Sequence, residues 1–183
     1  MYDDIRWRAS IHEAGHAVAW SLLGVGEVVS VTIGMLEFGQ VVSRIHDHVP
    51  QTETWLTRQM ACMLAGRVAE LLVVGDACCG AGGEDDSDLA KATDFALAAE
   101  TRLGYSAHQP LIYRPTRGSF DILSLDRELA ERVHARLLSA EAVARELLEE
   151  YQPRLLEPAE CLSVHGVMEG SEVRQVLGIE GPV

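Results

Sequence analysis

The chain has 183 residues, 48% of them hydrophobic, and these values predict one domain, over residues 1–183, that is large enough to bury a core. Its formal net charge of -13 argues against binding to nucleic acid or to an anionic membrane surface. The single lysine, Lys91, lies in DLAKATD, which lacks the glycines of a phosphate-binding loop, so a Walker-type ATP site is excluded.

The N-terminal segment is predicted to be a helix that runs from about Ile5 to Leu23. Asp3 or Asp4 can cap its start, and Gly24 can end it. This helix carries the motif HEAGHA, and it is therefore the element on which the chemistry of the chain depends.

The next segment has the pattern of a two-stranded β-ribbon. In EVVSVTI (27–33) apolar residues alternate with polar ones, which is typical of a half-buried strand. GMLEFG (34–39) supplies a turn, and QVVSR (40–44) is the returning strand. IHDHVPQ (45–51) is predicted to be a loop. The ribbon has two interpretations of equal weight: its edge holds substrate by strand addition, or it is a structural hairpin that covers the core.

The remainder is predicted to be helical between loops. The elements are, in chain order, a helix over 52–74, a glycine-rich and then acidic loop over 75–87, a helix from there to Gly104, an irregular segment over 105–123 and a helix over 125–151. Ser87 or Asp86 caps the helix after the acidic loop, and Pro153 breaks the last long helix, after which shorter helices follow. The predicted fold is mainly α with one small β-ribbon.

Cysteine spacing indicates the cellular compartment, and hydropathy indicates whether a segment can span a membrane. The cysteines are Cys62, Cys78, Cys79 and Cys161. They show no CxxC spacing, and the chain has no signal-peptide start, so we expect free thiols in a reducing cytoplasm. The adjacent pair is not expected to bind a metal, because neighbouring cysteines seldom satisfy one ion. The most apolar windows, 17–36 and 60–75, are interrupted by charged residues, so we expect no membrane-spanning segment.

Two histidines four residues apart on the first helix indicate a metal site. Side chains at positions i and i+4 lie on one face of a helix, with Cβ atoms about 5–6 Å apart. His12 and His16 can therefore each place a nitrogen about 2.0–2.1 Å from one zinc ion. Glu13 is the candidate general base of an HExxH metallopeptidase.

An HExxH motif also occurs by chance, and Gly15 is the residue that argues for function. Glycine inside a helix costs about 0.8–1.0 kcal/mol relative to alanine, so it usually marks the close approach of another group. Here that approach would lie beside the candidate ligands.

The third ligand of the metal is left open by the spacing alone. A catalytic zinc needs three protein ligands, and the metzincin continuation fails because Ala19 and Leu22 replace its glycine and histidine. The candidates are His46, His48, Glu70, the acidic group Glu84 to Asp86, and Asp88. Asp88 is attractive because the first turn of a helix favours an ionised carboxylate, although such a position also suits an ordinary helix-start aspartate.

Three ordered motifs make the chain resemble the peptidase domain of the FtsH family of ATP-dependent, zinc-containing membrane proteases. HEAGHA (12–17) resembles the family's metal helix, MLAGRVAE (63–70) its second helix and SDLAKAT (87–93) the stretch with its aspartate ligand. GSEVRQVLG (170–178) resembles its C-terminal part, whereas 105–123 matches loosely. The resemblance implies a helical zinc-peptidase domain.

The resemblance also assigns residues. It implies that His12, His16 and Asp88 bind Zn2+ and that Glu13 is the catalytic base. His46 and His48 then become solvated loop residues. Glu70 either orients a ligand or, as the favoured alternative, forms a structural ion pair with an arginine.

The chain departs from the family in two ways. The ATPase module and transmembrane helices that precede the family's peptidase domain are missing, and the start at Met1 favours a free-standing relative over an excised piece. The loop before the aspartate is extended by GGEDD (82–86), which can alter entry to the site or the affinity for the metal.

The function expected from the resemblance is that of a zinc metalloendopeptidase that cleaves unfolded polypeptides. The alternative is a catalytically silent peptidase-fold module that binds peptides or a separate ATPase, and the intact Glu13 argues against it. A small helical structural protein with a chance HExxH is the third interpretation. A homo-oligomer and a separate ATPase partner are both compatible with the sequence.

Overall fold

The computed structural model of the chain describes residues 3–34, 39–115 and 119–179 and is mainly α. The helices are α1 (Asp3–Leu22), α2 (Glu53–Val73), α3 (Asp88–Thr101), α4 (Ser119–Leu125), α5 (Arg127–Glu150), α6 (Gln152–His165) and α7 (Gly170–Val176). The strands are β1 (Gly26–Thr32), β2 (Gln40–Ile45) and β3 (Val167–Glu169), and a 3-10 turn covers Cys79–Ala81. The mainly α prediction is confirmed.

The sheet has three antiparallel strands in the order β2-β1-β3. The two strands of the predicted ribbon are present, and the third strand, β3, was not predicted. β3 lies in the C-terminal region, where only helices were predicted. Its three residues are too few to show an alternating pattern, and the strand forms because Met168 pairs with the buried Val31 of β1. Of the predicted turn over 34–39, residues 35–38 lie outside the described part of the chain.

Helices α1 and α2 pack closely against each other at Gly15. A Cβ atom at this position would lie 2.6 Å from the main-chain oxygen of Ala65 and 2.6 Å from the Cβ of Ala69. No real Cβ atom tolerates contacts this short, so the approach of the two backbones requires glycine. The close approach predicted from Gly15 is confirmed, and its partner is α2.

A buried carboxylate ties α3 to α5. Glu100 of α3 is 9% exposed, and its Oε1 accepts a hydrogen bond from Nε of Arg136 at 2.6 Å, while its Oε2 lies 3.1 Å from Nε of Arg132. The Ser106 hydroxyl also donates to Oε2, at 2.8 Å. These contacts connect the C-terminal end of α3, the helix that begins at Asp88, to α5.

Two features differ from the prediction, and a third agrees with it. α1 begins at Asp3, so Asp3 and Asp4 lie within its first turn rather than before it. The segment over 105–123, predicted to be irregular, contains the start of α4, a seven-residue helix too short for a clear apolar period. The predicted end of the long helix before Pro153 is confirmed, because α5 ends at Glu150 and Pro153 lies in the first turn of the shorter α6, where proline is tolerated.

Every helix within residues 3–34, 39–115 and 119–179 is too short or too polar to span a bilayer.

Candidate metal centre

Three side chains from two helices converge at one point. His12 and His16 lie one turn apart on α1, and their Nε2 atoms are 3.1 Å from each other. Asp88 is the first residue of α3, where the Ser87 hydroxyl accepts the N–H of Ala90 and caps the helix. Its Oδ2 lies 3.2 Å from Nε2 of His12 and 3.0 Å from Nε2 of His16. The sides of the triangle are thus nearly equal.

The other ring nitrogen of each histidine forms a hydrogen bond with a residue of α2. Nδ1 of His12 lies 2.7 Å from Oε1 of Glu70, and Nδ1 of His16 lies 2.8 Å from the main-chain oxygen of Cys62. A carbonyl oxygen and an ionised carboxylate can only accept, so both Nδ1 atoms carry hydrogen. In the neutral rings, both Nε2 atoms therefore direct lone pairs toward each other and toward the Asp88 oxygen.

This arrangement has the chemistry of a cation site. Three acceptors about 3 Å apart repel one another unless a positive charge lies between them. For metal–ligand bonds of about 2.0–2.1 Å, tetrahedral geometry separates ligand atoms by about 3.3–3.4 Å, close to the 3.0–3.2 Å found here. Within the described residues, His12, His16 and Asp88 are the group of metal-binding side chains that converges in this way.

Gly66 of α2 leaves room for this group. A Cβ atom at Gly66 would overlap the Nε2 atoms of both His12 and His16. Any other residue here would occupy the space in which the donor atoms meet. Gly66 was not singled out from the sequence, although the argument applied to Gly15, that glycine inside a helix marks close approach, identifies it equally well.

The electrostatics of the cluster favour a positive charge. Burial alone would lower the pKa of His12, but hydrogen bonds to Asp88 and Glu70 outweigh it and raise that pKa to about 10. Burial opposes ionisation of Asp88 too, yet the two histidines hold its pKa well below the ordinary value. Burial also opposes ionisation of Glu70, but His12 and the N–H of Cys78 lower the pKa of this carboxyl group below its ordinary value. The shifts share one cause, which is the attraction between the charged histidines and the surrounding carboxylates.

Glu13 lies next to His12 on α1 and is 4% exposed. Burial raises the pKa of its carboxyl group, and the nearby His16 and His12 oppose that rise. Gly39 packs directly against the Glu13 side chain, and a Cβ atom there would overlap it. The carboxyl group is therefore confined beside the cluster with a raised affinity for a proton, as a general base requires.

Two openings meet at Glu13. A cleft of about 880 Å3 is lined by the three converging side chains, by β2 and by Gln59 and Met63 of α2. A smaller and mainly apolar cavity of about 260 Å3 is lined by Ala9, Ala81 and the pair Cys78–Cys79, together with His12 and Glu13. An extended chain along the cleft can thus present a side chain to the cavity.

The other candidate ligands lie outside the cluster. His46 and His48 follow β2, and their rings lie 5.2 Å from each other. Glu84 and Asp86 line the cleft without joining the converging group. Glu70 contacts His12 at 2.7 Å, whereas its separation from Nη1 of Arg8 is 4.0 Å, so the contact with the histidine is the tighter of its two predicted interactions.

Known proteins are similar in sequence to this chain over most of its length. The model of Peptidase family M41 matches residues 3–176. The chain belongs to this family. ATP-dependent zinc metalloprotease FtsH 1 of Symbiobacterium thermophilum is 35% identical over 181 residues, which cover 94% of this chain and 29% of that protein. The FtsH-family resemblance inferred from HEAGHA, MLAGRVAE and SDLAKAT is therefore confirmed.

Other relatives give similar values. ATP-dependent zinc metalloprotease FtsH of Thermus thermophilus is 33% identical over 82% of this chain and 24% of its own length. FtsH 3 of Conexibacter woesei is 28% identical over 98% of this chain and 25% of its own length. The chain thus spans roughly a quarter to three tenths of these relatives.

Proposed function

We propose that the chain is a zinc-dependent endopeptidase domain in which His12, His16 and Asp88 bind the metal and Glu13 is the general base. The observation that carries this proposal is the triangle of acceptor atoms, 3.0–3.2 Å on each side, formed by these three side chains. With both rings neutral, three lone pairs face one another beside a cleft, and a cation between them would satisfy all three.

Zinc fits the donor set. Two imidazole nitrogens and one carboxylate oxygen leave one position of a tetrahedral ion open, which is the arrangement of catalytic rather than structural zinc sites. The relatives from Symbiobacterium thermophilum and Thermus thermophilus are both named zinc metalloproteases. The contact from Glu70 to His12 supports the same choice, because an oriented and more basic imidazole binds metal more strongly.

The residues of the chain divide the reaction between them. When bound, zinc would polarise the scissile carbonyl and make the attacking water more acidic. Glu13 accepts the proton of that water and then gives it to the leaving amine, and its raised pKa suits both steps. Gly39 and the walls of the cavity keep the Glu13 carboxyl group away from bulk water.

An extended polypeptide is the substrate that the cleft suits best. β2 is at one end of the described sheet and pairs with β1 alone, so its other edge can bind a substrate strand. Gln40, Val41, Ser43 and Ile45 of β2 line the cleft that contains the cluster. Main-chain hydrogen bonds of this kind require an unfolded segment and make few demands on its sequence.

Unfolding of a stable substrate would need a partner. The relatives are named ATP-dependent, and we propose that a separate ATPase, or an ATPase segment of a longer chain, supplies that energy here. A homo-oligomer and a cytoplasmic location remain predictions from the sequence.

The test combines metal analysis with a digestion assay. We expect one zinc per chain in protein purified without chelator and the cleavage of an unstructured casein-type substrate. His12→Ala should lose both, whereas His48→Ala is the matched control and should lose neither. Full zinc occupancy in the His12→Ala protein would contradict the ligand assignment. Zinc binding without any turnover would instead support a silent regulatory module.

A further inference from the structure

Two adjacent cysteines lie beside the metal cluster and have no role in the proposed reaction. Cys78 is partly buried and Cys79 is exposed, and both thiols are free. Both line the apolar cavity of about 260 Å3 that also contains His12, Glu13 and Glu70. A small molecule that enters this cavity therefore contacts two adjacent cysteine residues.

The main chain at Cys78 is connected to the metal cluster by two hydrogen bonds. The N–H of Cys78 donates to Oε2 of Glu70 at 2.8 Å, and Oε1 of the same carboxylate lies 2.7 Å from Nδ1 of His12. The other ring nitrogen of His12 belongs to the converging group. A change in the backbone at Cys78 must therefore alter the position of Glu70, and with it the orientation of the His12 ring.

We propose that Cys78 and Cys79 form a reversible oxidation site for low-molecular-weight disulfides, and that closure of a disulfide between them weakens metal binding by His12. The inference rests on the proposed metal site and assigns to it a form of control.

The chemistry is an ordinary thiol–disulfide exchange. The Cys79 thiolate attacks one sulfur of R–S–S–R, forms a mixed disulfide and releases one RS⁻, which takes up a proton. The Cys78 thiol then loses its proton to solvent, and its sulfur attacks Sγ of Cys79 and expels the second RS⁻. Two protein thiols are oxidised, and one R–S–S–R is reduced to two RSH. Cys79 reacts first because it is exposed, while burial and the nearby Glu70 raise the pKa of Cys78.

The product cannot form without movement of the backbone. Cα atoms joined by a trans peptide are about 3.8 Å apart, whereas disulfides usually join Cα atoms about 4.4–6.8 Å apart. Cys78 is extended, with φ -71° and ψ 154°, and Cys79 begins the 3-10 turn in which its carbonyl accepts the N–H of Gly82 at 3.0 Å. Closure therefore twists the dipeptide and the turn together, and the strain makes the bond easily reduced.

The expected consequence is a weaker hold on the metal. The twist displaces the Cys78 N–H from Glu70, and a metal ligand that loses such outer support typically loses about 10–100-fold in metal affinity. The reduced form keeps the hydrogen bonds that the structure shows. Oxidation of the pair by small disulfides would therefore lower the affinity of the cluster for its metal.

The experiment measures zinc affinity rather than turnover. Zinc-loaded protein is treated with bis(2-hydroxyethyl) disulfide, and a chromophoric chelator then competes for the metal, while peptide mass mapping locates the oxidised residues. We expect the peptide that contains Cys78 and Cys79 to lose two hydrogens and the zinc dissociation constant to rise about 10–100-fold. Dithiothreitol should reverse both changes.

Variants distinguish this coupling from general damage. Cys79→Ser should abolish the response and Cys161→Ser should leave it intact, with the fold of each checked by circular dichroism. Glu70→Gln should already bind zinc more weakly and respond less to oxidation. A disulfide that forms without changing zinc affinity, a failure to form it at excess oxidant, or a response that persists in Cys79→Ser would each overturn the inference. A reduced chain that binds no zinc would instead refute the proposed function, and the inference with it.

Discussion

Glu13 and Asp88 both lie at the cluster, but different chemistry makes their substitutions separable. Glu13→Gln removes the proton acceptor without touching the converging atoms, so we expect unchanged zinc content and a loss of about 10²–10⁴-fold in turnover. Initial rates on an unstructured fluorogenic peptide, together with zinc analysis of the same sample, measure this. Cleavage at the wild-type rate would show that another group is the base.

Asp88→Asn should weaken zinc binding rather than the proton transfer itself. The amide oxygen is neutral and a poorer ligand than the carboxylate, so we expect weaker zinc retention, with turnover falling only as zinc is lost. Asp86→Asn is the matched control, because Asp86 lines the same cleft without joining the cluster. Competition with a chelator gives both affinities. Equal retention of zinc by the two variants would remove Asp88 from the ligand set.

The raised pKa of His12 predicts how the metal-free chain responds to pH. A group whose pKa rises on folding, here from 6.5 to about 10, stabilises the fold below pH 6.5, and this contribution disappears as the pH rises toward 10. We therefore expect the melting temperature in excess chelator to fall between about pH 6.5 and 10. His12→Asn should flatten the decline, and added zinc should stabilise more as the pH rises, because it needs the neutral ring. A metal-free melting temperature that rises over this range would contradict the shift.

Residues of α2 contact His12 and His16 of α1, and two glycines allow the helices to meet. Gly15→Ala places a Cβ atom 2.6 Å from the Ala65 oxygen, so we expect a loss of about 1–3 kcal/mol in the free energy of unfolding despite the better helix propensity. Gly66→Ala instead fills the space between the two Nε2 atoms, so zinc binding should fall more than stability does. Urea unfolding and zinc titration of both variants test this. Wild-type stability of Gly15→Ala would contradict the tight α1–α2 contact at that position, and wild-type zinc binding by Gly66→Ala would contradict the placement of its Cβ atom between the two Nε2 atoms.

The elements that sequence alone identified are those with long or capped patterns. The apolar run of α2, the Ser87 cap of α3 and the i, i+4 histidines are local signals, and each is found in the structure. β3 and α4 were missed because three and seven residues carry too little periodicity, and β3 exists only through pairing with β1. The contact from His16 to the Cys62 carbonyl could not be predicted, since any residue type supplies a carbonyl.

The whole fold is what brings the cluster together. Asp88 lies 76 residues along the chain from His12, and the separation is closed by packing of α1, β2, α2 and α3 rather than by any local motif. A metal that binds both residues binds only the folded chain and must therefore stabilise it. The net charge of -13 would attract a cation to the proposed site, so we expect faster metal binding at low ionic strength.

The proposed site needs a substrate segment that is already unfolded. A site that binds an extended strand along β2 can act only on a segment that is already open. Opening a stably folded substrate can require up to its full free energy of unfolding, about 5–15 kcal/mol, and the sequence contains no Walker motif with which to supply it. We therefore expect cleavage of an unfolded polypeptide without ATP and resistance of its folded counterpart with or without ATP.

The assay uses one substrate in two states, a disulfide-stabilised domain and its reduced, alkylated form, each with and without ATP. Matching the sequence of the two states removes any effect of cleavage preference, so that a difference in rate reports the cost of opening alone. The Glu13→Gln protein is the blank for contaminating proteases. The expectation would be contradicted if ATP accelerated digestion of the folded form by the pure chain. Equal rates on the folded and unfolded forms would instead show that the cleft accepts exposed loops, so that cleavage does not depend on unfolding.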